Sequence, residues 1–579
     1  MAEQRIILSG DEAVAEAALA CGVKLGTGYP GTPSTEILEH FSAIGGNAEW
    51  APNEKVAMEV ASGVAFSGAK TIVTMKHVGV NVAADPLFTL TYIGVEGGLL
   101  LISADDPGMA SSQNEQDNRL YAIAAQMPMF EPSDSQEAYD FTIRALELSE
   151  QFHVPAMLRM TTRVCHSRGI VNRWKAKEAP ASRNYRRAVR ERVMIPAFAK
   201  GAHVRLVNNM KALAEWNEKS DLHQVFGPEK SDLGIICAGA AFQHAREAFP
   251  EARILKLGMT WPLPYEAIRK FTEGNQRTVV VEEGEKVMAE KILAHGIQVE
   301  PKGDAFLFGE LNVAKVVRLV NRDETPEAPP KPGRPPQLCP GCPHRKVFET
   351  LRDLGCIVSG DIGCYTLGAQ PPLNSLDTTL CMGASVSGIH GFNKSGGAER
   401  EKKTVAVIGD STFMHSGMTG LVNIAYNATN STVIILDNSI TGMTGHQNNP
   451  ANGLTIKGDP TVAVNLEALA HALGINRVKV VDPYDLAECD KVLKEELAAE
   501  EPSVIISRRP CVLLKSVKAK SPVHVNHEKC IGCKACMKFG CPAISVKEKK
   551  AVVDATLCVG CDVCKQLCKF GAFESEARA

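Results

Sequence analysis

The chain has 579 residues, 45% of them hydrophobic, which is enough for about three to five domains with their own cores. Its 63 Lys and Arg nearly balance 66 Asp and Glu, and a net charge of −3 argues against a nucleic-acid partner. The N-terminus lacks the apolar core of a signal peptide, and no run approaches 18 apolar residues. We therefore expect a cytoplasmic protein that does not contact membranes.

Short apolar runs alternate with helical patterns through most of the chain. The predicted strands are 71–75, 98–102, 155–158, 233–237, 278–281, 404–408 and 432–436, and a helix is predicted near 417–427. Buried β-branched runs separated by helices are typical of parallel sheets. The predicted fold class is α/β, with several doubly wound parallel-sheet domains.

Two breaks divide this pattern. The segment ETPEAPPKPGRPPQ at 324–337 is proline-rich and reads as an extended linker, and a shorter break lies at 519–522. A strand–helix series also restarts at Leu233. The predicted domains are 1–195, 196–323, 338–518 and 519–579, with 324–337 as the linker.

The cysteines are concentrated at one end of the chain: eight of the 18 lie between Cys530 and Cys568. Two C-x2-C-x2-C runs, each followed by a fourth cysteine, have the spacing of a bacterial-type ferredoxin with two 4Fe–4S clusters, in which each fourth thiolate serves the other cluster. The predicted ligand sets are Cys530, Cys533, Cys536 and Cys568, and Cys558, Cys561, Cys564 and Cys541.

The tail departs from that pattern at two points. The first run has one extra residue before its fourth cysteine, and Lys569 stands where proline often follows the second. The alternative interpretation of the eight cysteines is a pair of tetrahedral zinc sites. The double C-x2-C-x2-C spacing favours iron–sulfur and a domain that transfers electrons.

Polar residues follow two neighbouring predicted strands of the middle block. Gly409-Asp410-Ser411 ends one strand and Asp437-Asn438 ends the next, at the carboxyl edge where open α/β sheets bind ligands. Mg²⁺ needs oxygen ligands, which Asp410, Asn438 and a nearby backbone carbonyl would provide. The helix expected near Gly417 would offer free N–H groups to a diphosphate. The alternative is a strand-end turn in which Asp410 caps a helix.

This pattern resembles the thiamine diphosphate motif, G-D-[GS] followed after 25–30 residues by an apolar strand ending in asparagine. The resemblance implies that Gly409, Asp410, Ser411 and Asn438 bind the cofactor, and that the carbonyl of Ile440 is the third Mg²⁺ ligand. Such a site also needs a carboxylate from a second α/β domain. Glu54 begins a helical run in NEKVAMEVASG, although by itself it is better explained as an ordinary N-terminal helix carboxylate.

The order of motifs YPGTPSTE, NEKVAMEVASG, CPGCPH, GDIGC, GDS…DN and the two-cluster tail resembles the 2-oxoacid:ferredoxin oxidoreductases over essentially the whole chain. Within that family the large subunits of indolepyruvate-type enzymes are most similar, particularly at DDPGMASSQNEQDNR, residues 105–119. The resemblance implies a pyrimidine-type domain at 1–195, a transketolase-C-terminal-like domain at 196–323, a diphosphate-type domain at 338–518 and a C-terminal α+β ferredoxin domain.

The resemblance also implies a reaction. Arylpyruvates such as indolepyruvate would be oxidatively decarboxylated to aryl-acetyl-CoA by thiamine diphosphate and Mg²⁺, and electrons would pass through 4Fe–4S clusters to ferredoxin. Coenzyme A would be the co-substrate, and a smaller gamma-type subunit would complete a heteromer. The carboxylate of Glu54 would activate the pyrimidine ring, and Thr32 would contact substrate. His77 and Arg119 are weaker catalytic candidates, because a buried, hydrogen-bonded histidine and a surface arginine are the commoner explanations.

Several alternatives remain open. Cys339, Cys342, Cys364 and Cys511 match the positions of a third 4Fe–4S cluster in related enzymes, or CPGC is a structural turn near the diphosphate. The arginine-rich stretch Arg183–Arg192 would bind coenzyme A phosphates, or it is a solvated linker or subunit interface. Rival functions are the same chemistry on pyruvate or a branched-chain acid, a non-oxidative decarboxylase, and an electron-transfer subunit without thiamine diphosphate.

Overall fold

The computed structural model describes residues 4–174, 185–327, 333 and 335–575. It divides into two compact units, Met1–Pro330 and Lys331–Ala579, and the division falls within the predicted linker 324–337. Residues 328–332 and 334 of that linker, and Arg183 of the arginine-rich stretch, lie outside the described residues. No described helix is long and apolar enough to span a membrane.

The first unit alternates strands and helices. Its strands are β1 Gln4–Ser9, β2 Leu25–Gly28, β3 Ala48–Trp50, β4 Thr71–Lys76, β5 Leu99–Asp105, β6 Met129–Phe130, β7 Ala156–Thr161, β8 Arg168–Arg173, β9 His223–Phe226, β10 Ser231–Ala238, β11 Arg253–Leu257, β12 Met259–Trp261 and β13 Asn275–Val281. Its helices are α1 Gly10–Ala20, α2 Thr35–Ala43, α3 Glu54–Phe66, α4 His77–Val82, α5 Ala84–Ile93, α6 Arg119–Ala125, α7 Ser135–Phe152, α8 Thr162–His166, α9 Val189–Arg192, α10 Pro196–Glu218, α11 Ala240–Ala248, α12 Tyr265–Thr272, α13 Val287–Ala294 and α14 Val313–Val320.

Two sheets organise this unit. The larger has the strand order β12-β6-β7-β5-β4-β2-β3 and is parallel except for the edge strand β12. The smaller has the order β13-β10-β11-β9, with β9 antiparallel. Strand β12 lies in sequence between β11 and β13 of the second sheet yet pairs with β6, so the two predicted domains 1–195 and 196–323 share a sheet edge.

The second unit contains a parallel sheet and a small antiparallel tail. Its strands are β14 Ile357–Ser359, β15 Thr404–Gly409, β16 Thr432–Asp437, β17 Arg477–Val481, β18 Ser503–Arg508, β19 Val523–Val525, β20 Ile544–Lys547, β21 Lys550–Val553 and β22 Phe573–Ser575. Its helices are α15 Arg345–Asp353, α16 Ala384–Gly396, α17 Ala398–Glu401, α18 Asp410–Thr412, α19 Met418–Asn427, α20 Leu466–Ala472, α21 Leu486–Leu497 and α22 Val563–Leu567. The sheet order is β14-β15-β16-β18-β17, and the tail pairs β19 with β22 and β20 with β21.

Helices cover both faces of the five-stranded sheet. Along β16, Ile434 and Leu436 pack into the core cluster on one face, while Val433 and Ile435 pack into the cluster on the other. Full burial of each such side chain contributes about 1.5–3 kcal/mol. The predicted α/β class with parallel sheets is therefore confirmed, and every strand predicted from an apolar run is present.

Candidate functional site

Three predicted site residues of the first unit follow three adjacent parallel strands. Thr32 lies in the turn after β2, Glu54 opens α3 after β3, and His77 opens α4 after β4. These strands are neighbours in the order β4-β2-β3, so the residues share one carboxyl edge of the sheet. The structure thus brings together on one edge groups that are up to 45 positions apart in sequence.

Glu54 is buried, with only 5% of its surface exposed. The side chain of Asn53 caps its helix by accepting a hydrogen bond from the Val56 N–H at 2.9 Å. A glycine of the neighbouring helix α4 is pressed against the carboxylate, because a Cβ on Gly79 would lie 2.7 Å from Oε1 and Cγ of Glu54. The orientation of this carboxylate therefore depends on the absence of a side chain at Gly79.

We expect Gly79→Ala to displace the Glu54 carboxylate and to lower kcat by about 10-fold to 100-fold, since small misplacements of a reacting group are costly. Gly63→Ala, on the same helix as Glu54 but with open space around it, should leave kcat unchanged. Turnover of the two variants at equal iron and cofactor content checks this. Equal activity of Gly79→Ala and wild type would contradict it.

His77 is fully buried, and its Nε2 lies 3.1 Å from the carbonyl oxygen of Asn114. A carbonyl can only accept, so Nε2 carries the hydrogen and Nδ1 is unprotonated. Burial lowers the pKa of His77, which keeps the ring neutral. Nδ1 has no hydrogen-bond partner among the described residues. It is therefore a buried acceptor beside the residues that end β4.

Arg119 lies in a different environment from that expected of a substrate-binding residue. Its guanidinium is 1% exposed and pairs with Asp117 at 2.5 Å and Glu282 at 2.6 Å. It also donates to the carbonyl oxygens of Glu283 and Glu285. All three nitrogens are engaged, which makes Arg119 a link between the first sheet's edge and the strand β13 region.

In the arginine-rich stretch, both Arg186 and Arg192 bond the carboxylate of Glu96, at 2.7 and 2.8 Å. Arg186 also pairs with Glu191 at 2.6 Å. Two arginines of the stretch, Arg186 and Arg192, are therefore paired with carboxylates of the chain itself.

Three oxygen atoms converge at the carboxyl edge of the second unit's sheet. The side-chain oxygen of Asn438 points to the carbonyl oxygen of Ile440 at 2.8 Å and to Oδ1 of Asp410 at 3.3 Å. Oxygens this close repel one another unless a cation or an amide hydrogen lies between them. Neighbouring ligands of an octahedral Mg²⁺ at about 2.1 Å are about 3 Å apart. Both distances from the Asn438 oxygen are therefore compatible with neighbouring ligands of a magnesium ion.

A 180° rotation of the Asn438 amide would place its NH2 against the same two oxygens and would satisfy them without a cation. His344 faces the other end of this amide. Its Nε2 lies 3.4 Å from Nδ2 of Asn438, and burial lowers the pKa of His344 to about 4, which keeps the ring neutral. In the tautomer whose Nε2 is unprotonated, His344 accepts from the Asn438 amide while the Asn438 oxygen faces Asp410.

Asp410 is buried, and this burial together with the neighbouring Asp437 raises its pKa to about 7. A buried carboxylate without a cation is costly, so a divalent ion at this position would lower that pKa. Asn449 donates to the second carboxylate oxygen at 3.4 Å, and Thr441 donates to Ser411 at 2.9 Å. The donor set fits Mg²⁺ and a diphosphate.

The helix after β15 begins earlier than expected. It starts at Asp410 in α18 and continues through a π-helical turn at 413–417 into α19, so its N-terminus is not near Gly417. A Cβ on Gly417 would lie 2.8 Å from Ile408 and Phe413, and one on Gly409 would lie 2.6 Å from Tyr365. Both glycines permit close side-chain packing. The prediction of a helix start near Gly417 is therefore wrong, since Gly417 lies inside a helix that begins at Asp410.

The four cysteines of the middle block form a group beside this site: Cys339, Cys342, Cys364 and Cys511. Burial, with smaller contributions from Cys511 and Cys339, raises the pKa of Cys364 to about 11. The pKa of Cys511 is raised by burial and also by Cys339 and Asp410. Thiols with raised pKa values become ligands only when a cation compensates their charge. Four thiols are a donor set that fits iron, and they lie beside the oxygen triad, by which we mean the three facing oxygens of Asp410, Asn438 and Ile440.

The tail brings each fourth cysteine to the opposite run. Besides burial, the groups that raise the pKa of Cys536 are Cys533, Cys530 and Cys568, and those that raise the pKa of Cys564 are Cys561, Cys558 and Cys541. Both runs use the same local backbone, with positive φ at Gly532 and Gly560. Backbone N–H groups point to Sγ of Cys530, Cys558 and Cys568 at 3.5 Å. The two predicted ligand sets are thus grouped as the spacing indicated.

Within the described ranges, the one group of three or more His, Cys, Asp or Glu whose ligand atoms all lie within 4.8 Å is Asp11, Glu36 and His166. It contains no cysteine.

Family comparisons agree with this geometry. The model of the thiamine-diphosphate-binding region of pyruvate flavodoxin/ferredoxin oxidoreductases matches residues 16–205, and that of the C-terminal binding domain of thiamine pyrophosphate enzymes matches residues 361–507. The indolepyruvate oxidoreductase subunit IorA of Methanothermobacter marburgensis is 38% identical over 99% of this chain and 98% of its own length.

The chain belongs to the IorA family. It is a 2-oxoacid:ferredoxin oxidoreductase with thiamine-diphosphate-binding domains. The IorA subunit of Pyrococcus horikoshii is likewise 38% identical, over 99% of this chain and 97% of that protein. Among solved structures, a 2-oxoglutarate:ferredoxin oxidoreductase from Magnetococcus marinus covers 56% of this chain and 66% of its own, with 17% identity and a TM-score of 0.48.

The sequence of this IorA-family chain did not point to several residues that its site depends on. Gly79 and Tyr365 matter through close packing, and His344 and Asn449 through one hydrogen bond each to the triad. Of these, only His344 had a local signal, since it stands within CPGCPH beside two of the clustered cysteines.

Proposed function

We propose that this chain catalyses the thiamine-diphosphate-dependent oxidative decarboxylation of arylpyruvates, of which indolepyruvate is the model substrate, to aryl-acetyl-CoA. Electrons pass through 4Fe–4S clusters to ferredoxin, and a smaller gamma-type subunit completes the enzyme. The observation that supports this most strongly is the triad of facing oxygens from Asp410, Asn438 and Ile440 in a region that matches thiamine pyrophosphate enzymes.

The residues of the second unit would hold Mg²⁺ and, with it, the diphosphate of the cofactor. Asp410 supplies the negative ligand, and Asn438 and the Ile440 carbonyl supply neutral ones. His344 holds the amide of Asn438 so that its oxygen faces the cation. When bound, thiamine diphosphate supplies a carbon nucleophile and an electron sink for the keto carbon of the substrate.

The residues of the first unit act on protons and on substrate. The buried carboxyl group of Glu54 would form a hydrogen bond to the pyrimidine ring of the bound cofactor, and Gly79 leaves room for that carboxyl group. Thr32, half-buried in its turn, is positioned to donate a hydrogen bond to a 2-oxo acid. His77, with Nδ1 unprotonated, offers a buried acceptor beside them. Arg119 is better explained by its ion pairs than by substrate binding.

For electron transfer, we propose 4Fe–4S clusters on both tail sets and a third on Cys339, Cys342, Cys364 and Cys511. The set of Cys541, Cys558, Cys561 and Cys564 lies closest to the middle-block cysteines. A Cβ on Gly341, within CPGC, would lie 2.4 Å from Val559 within the second tail run. The hydroxyl of Tyr484 donates to the Gly341 carbonyl. Electrons therefore enter the tail at this set.

Arg345 adds a buried positive charge between the same two groups. Its guanidinium is 2% exposed and has no carboxylate partner among the described residues. It donates to the carbonyl oxygen of Gly540 at 2.6 Å, and to those of Leu338 and Cys339. The negative groups that act on it are the thiols of Cys342, Cys541, Cys339 and Cys561. Thiolates bound to iron would provide its counter-charge.

We expect Arg345→Gln to lower the reduction potential of the cluster held by Cys541 and Cys561, with its equilibrium constant for reduction falling roughly tenfold, or about 59 mV. Arg345→Lys keeps the positive charge, so the reduction potential of this cluster should stay close to the wild-type value. Redox titration followed by electron paramagnetic resonance measures each potential.

The matched control is Arg352→Gln. Arg352 lies on the same helix α15 and also donates to the tail, at the carbonyl oxygen of Lys538 at 2.8 Å, but it pairs with a carboxylate, that of Asp353, at 2.8 Å. Arg352→Gln should leave the reduction potentials of the clusters unchanged. Equal shifts in the Arg345 and Arg352 variants would indicate loosened docking of the tail rather than an effect of charge.

The substrate is tested with the purified complex, coenzyme A and a viologen dye, using a panel of 2-oxo acids. The proposal predicts a higher kcat/KM for indolepyruvate and phenylpyruvate than for pyruvate or a branched-chain acid. If an aliphatic acid is preferred, the arylpyruvate assignment is wrong, while the reaction class is unaffected.

A further inference from the structure

The first tail set has an exposed member, Cys533, whereas the four cysteines of the second set are all half-buried. Its four cysteines, Cys530, Cys533, Cys536 and Cys568, line one cavity of about 270 Å³. Cys533 is exposed, and two large apolar side chains border the same cavity, Ile531 with 62% and Phe570 with 48% of their surface exposed. Phe570 is thus about half exposed, two residues after Cys568.

Lysines surround this opening. Lys534 and Lys569 both line the cavity, are exposed, and form no ion pair in the described residues. Each directly follows a cysteine of the set, Cys533 and Cys568. Lys569 stands at the position where a proline is common, so the chain has a charge at this point in place of a rigid turn residue.

The second set has the opposite surroundings. Cys541 and Cys561 pack in a cluster with Leu486, Phe539 and Val563, and thus against helix α21 of the middle block. Gln566 donates to the carbonyl oxygen of Tyr484 at 2.7 Å and accepts from the N–H of Leu486. The second set therefore packs against the catalytic domain, while the first set has Cys533 exposed to solvent.

We infer that Ile531, Cys533, Lys534, Lys569 and Phe570 form the docking face for a small acidic protein that carries a one-electron redox centre. This inference rests on the proposed function, which requires such an acceptor, and it names the surface and the charge of the partner. Unpaired lysines around an apolar centre match an acidic carrier, since complementary charge raises association rates. The apolar side chains supply the desolvated centre of the contact.

The assay uses the complete anaerobic enzyme with indolepyruvate and coenzyme A. It compares reduction of a purified, negatively charged two-cluster ferredoxin with reduction of methyl viologen, a small dication that needs no protein interface. We expect Lys534→Gln/Lys569→Gln to raise KM for the ferredoxin about tenfold and to flatten its dependence on salt. Methyl viologen reduction should stay within about twofold of wild type.

Two further variants sharpen the result. Phe570→Ala should raise KM for the ferredoxin without changing the salt dependence, and Lys534→Glu/Lys569→Glu should raise it further than the glutamine pair. Lys402→Gln/Lys479→Gln, two exposed lysines of the middle block, is the matched control and should have no effect. Iron content is measured for every variant.

An unchanged KM for the ferredoxin in the lysine and phenylalanine variants overturns the docking face. Binding of the gamma-type subunit at this face would instead appear as loss of that subunit from the purified complex, and self-association as a change in oligomeric state; either also overturns it. Failure of wild-type enzyme to reduce methyl viologen with any 2-oxo acid contradicts the proposed function itself and is distinguishable from these outcomes.

Discussion

Asp410→Asn is expected to abolish binding of thiamine diphosphate and Mg²⁺ and to lower kcat/KM at least about 100-fold. The substitution keeps the shape of the side chain but removes the only charged ligand of the oxygen triad. Calorimetric titration with thiamine diphosphate and Mg²⁺ measures the binding loss directly. Asp459→Asn, at an exposed position of the same unit, should behave as wild type.

Asp410→Asn, which impairs cofactor binding, is expected to stabilise the cofactor-free protein. Burial raises the pKa of Asp410 to about 7, above its ordinary 3.8, so the folded state disfavours the charged form. Wild-type stability from this group is therefore highest below the unfolded pKa and falls as the pH rises through about 7. Asp410→Asn removes this effect, and its Tm relative to wild type should increase between pH 6 and pH 8.

This measurement also separates the two interpretations of Asp410. If the carboxylate were a helix cap with no metal-binding role, its removal would cost about 1 kcal/mol and lower Tm at every pH. A lower Tm combined with normal cofactor binding would therefore contradict the magnesium site.

Glu54→Gln is expected to lower kcat by about 10²-fold to 10⁴-fold while thiamine diphosphate still binds, because the amide fills the same space but cannot exchange the proton. Turnover with a viologen dye and cofactor content measured on the same preparation test both parts. Glu59→Gln, on the exposed side of α3 where it pairs with Lys55, is the control and should keep full activity. Activity of Glu54→Gln above about a tenth of wild type would remove Glu54 from the mechanism.

Sequence alone predicted the features that depend on local spacing. The cysteine runs specified both tail groups, including the exchange of Cys541 and Cys568, because each run folds into the same turn with a left-handed glycine. Apolar β-branched runs located the buried parallel strands. The strand ends then placed Asp410 and Asn438 at a common edge.

Features that depend on contacts between distant segments were missed. Gly79 touches Glu54 across two helices, with nothing in its local sequence to indicate it, and His344, although it stands within CPGCPH, reaches Asn438 from 94 positions away. Strand β12 leaves its neighbours in sequence to pair with β6. From the sequence, Arg119 is expected at the surface, yet it is buried and its partner Glu282 lies 163 positions along the chain. Tertiary packing, which periodicity and spacing do not encode, decides all of these.

The most direct test is rapid anaerobic mixing of the purified complex with indolepyruvate and coenzyme A while the iron–sulfur clusters are observed by electron paramagnetic resonance. Cofactor analysis of the same sample should find about one thiamine diphosphate and at least about eight iron atoms per chain. We predict cluster reduction that requires the 2-oxo acid and disappears in Asp410→Asn. Iron bound without thiamine diphosphate, with clusters that no 2-oxo acid reduces, would contradict the account and leave an electron-transfer subunit.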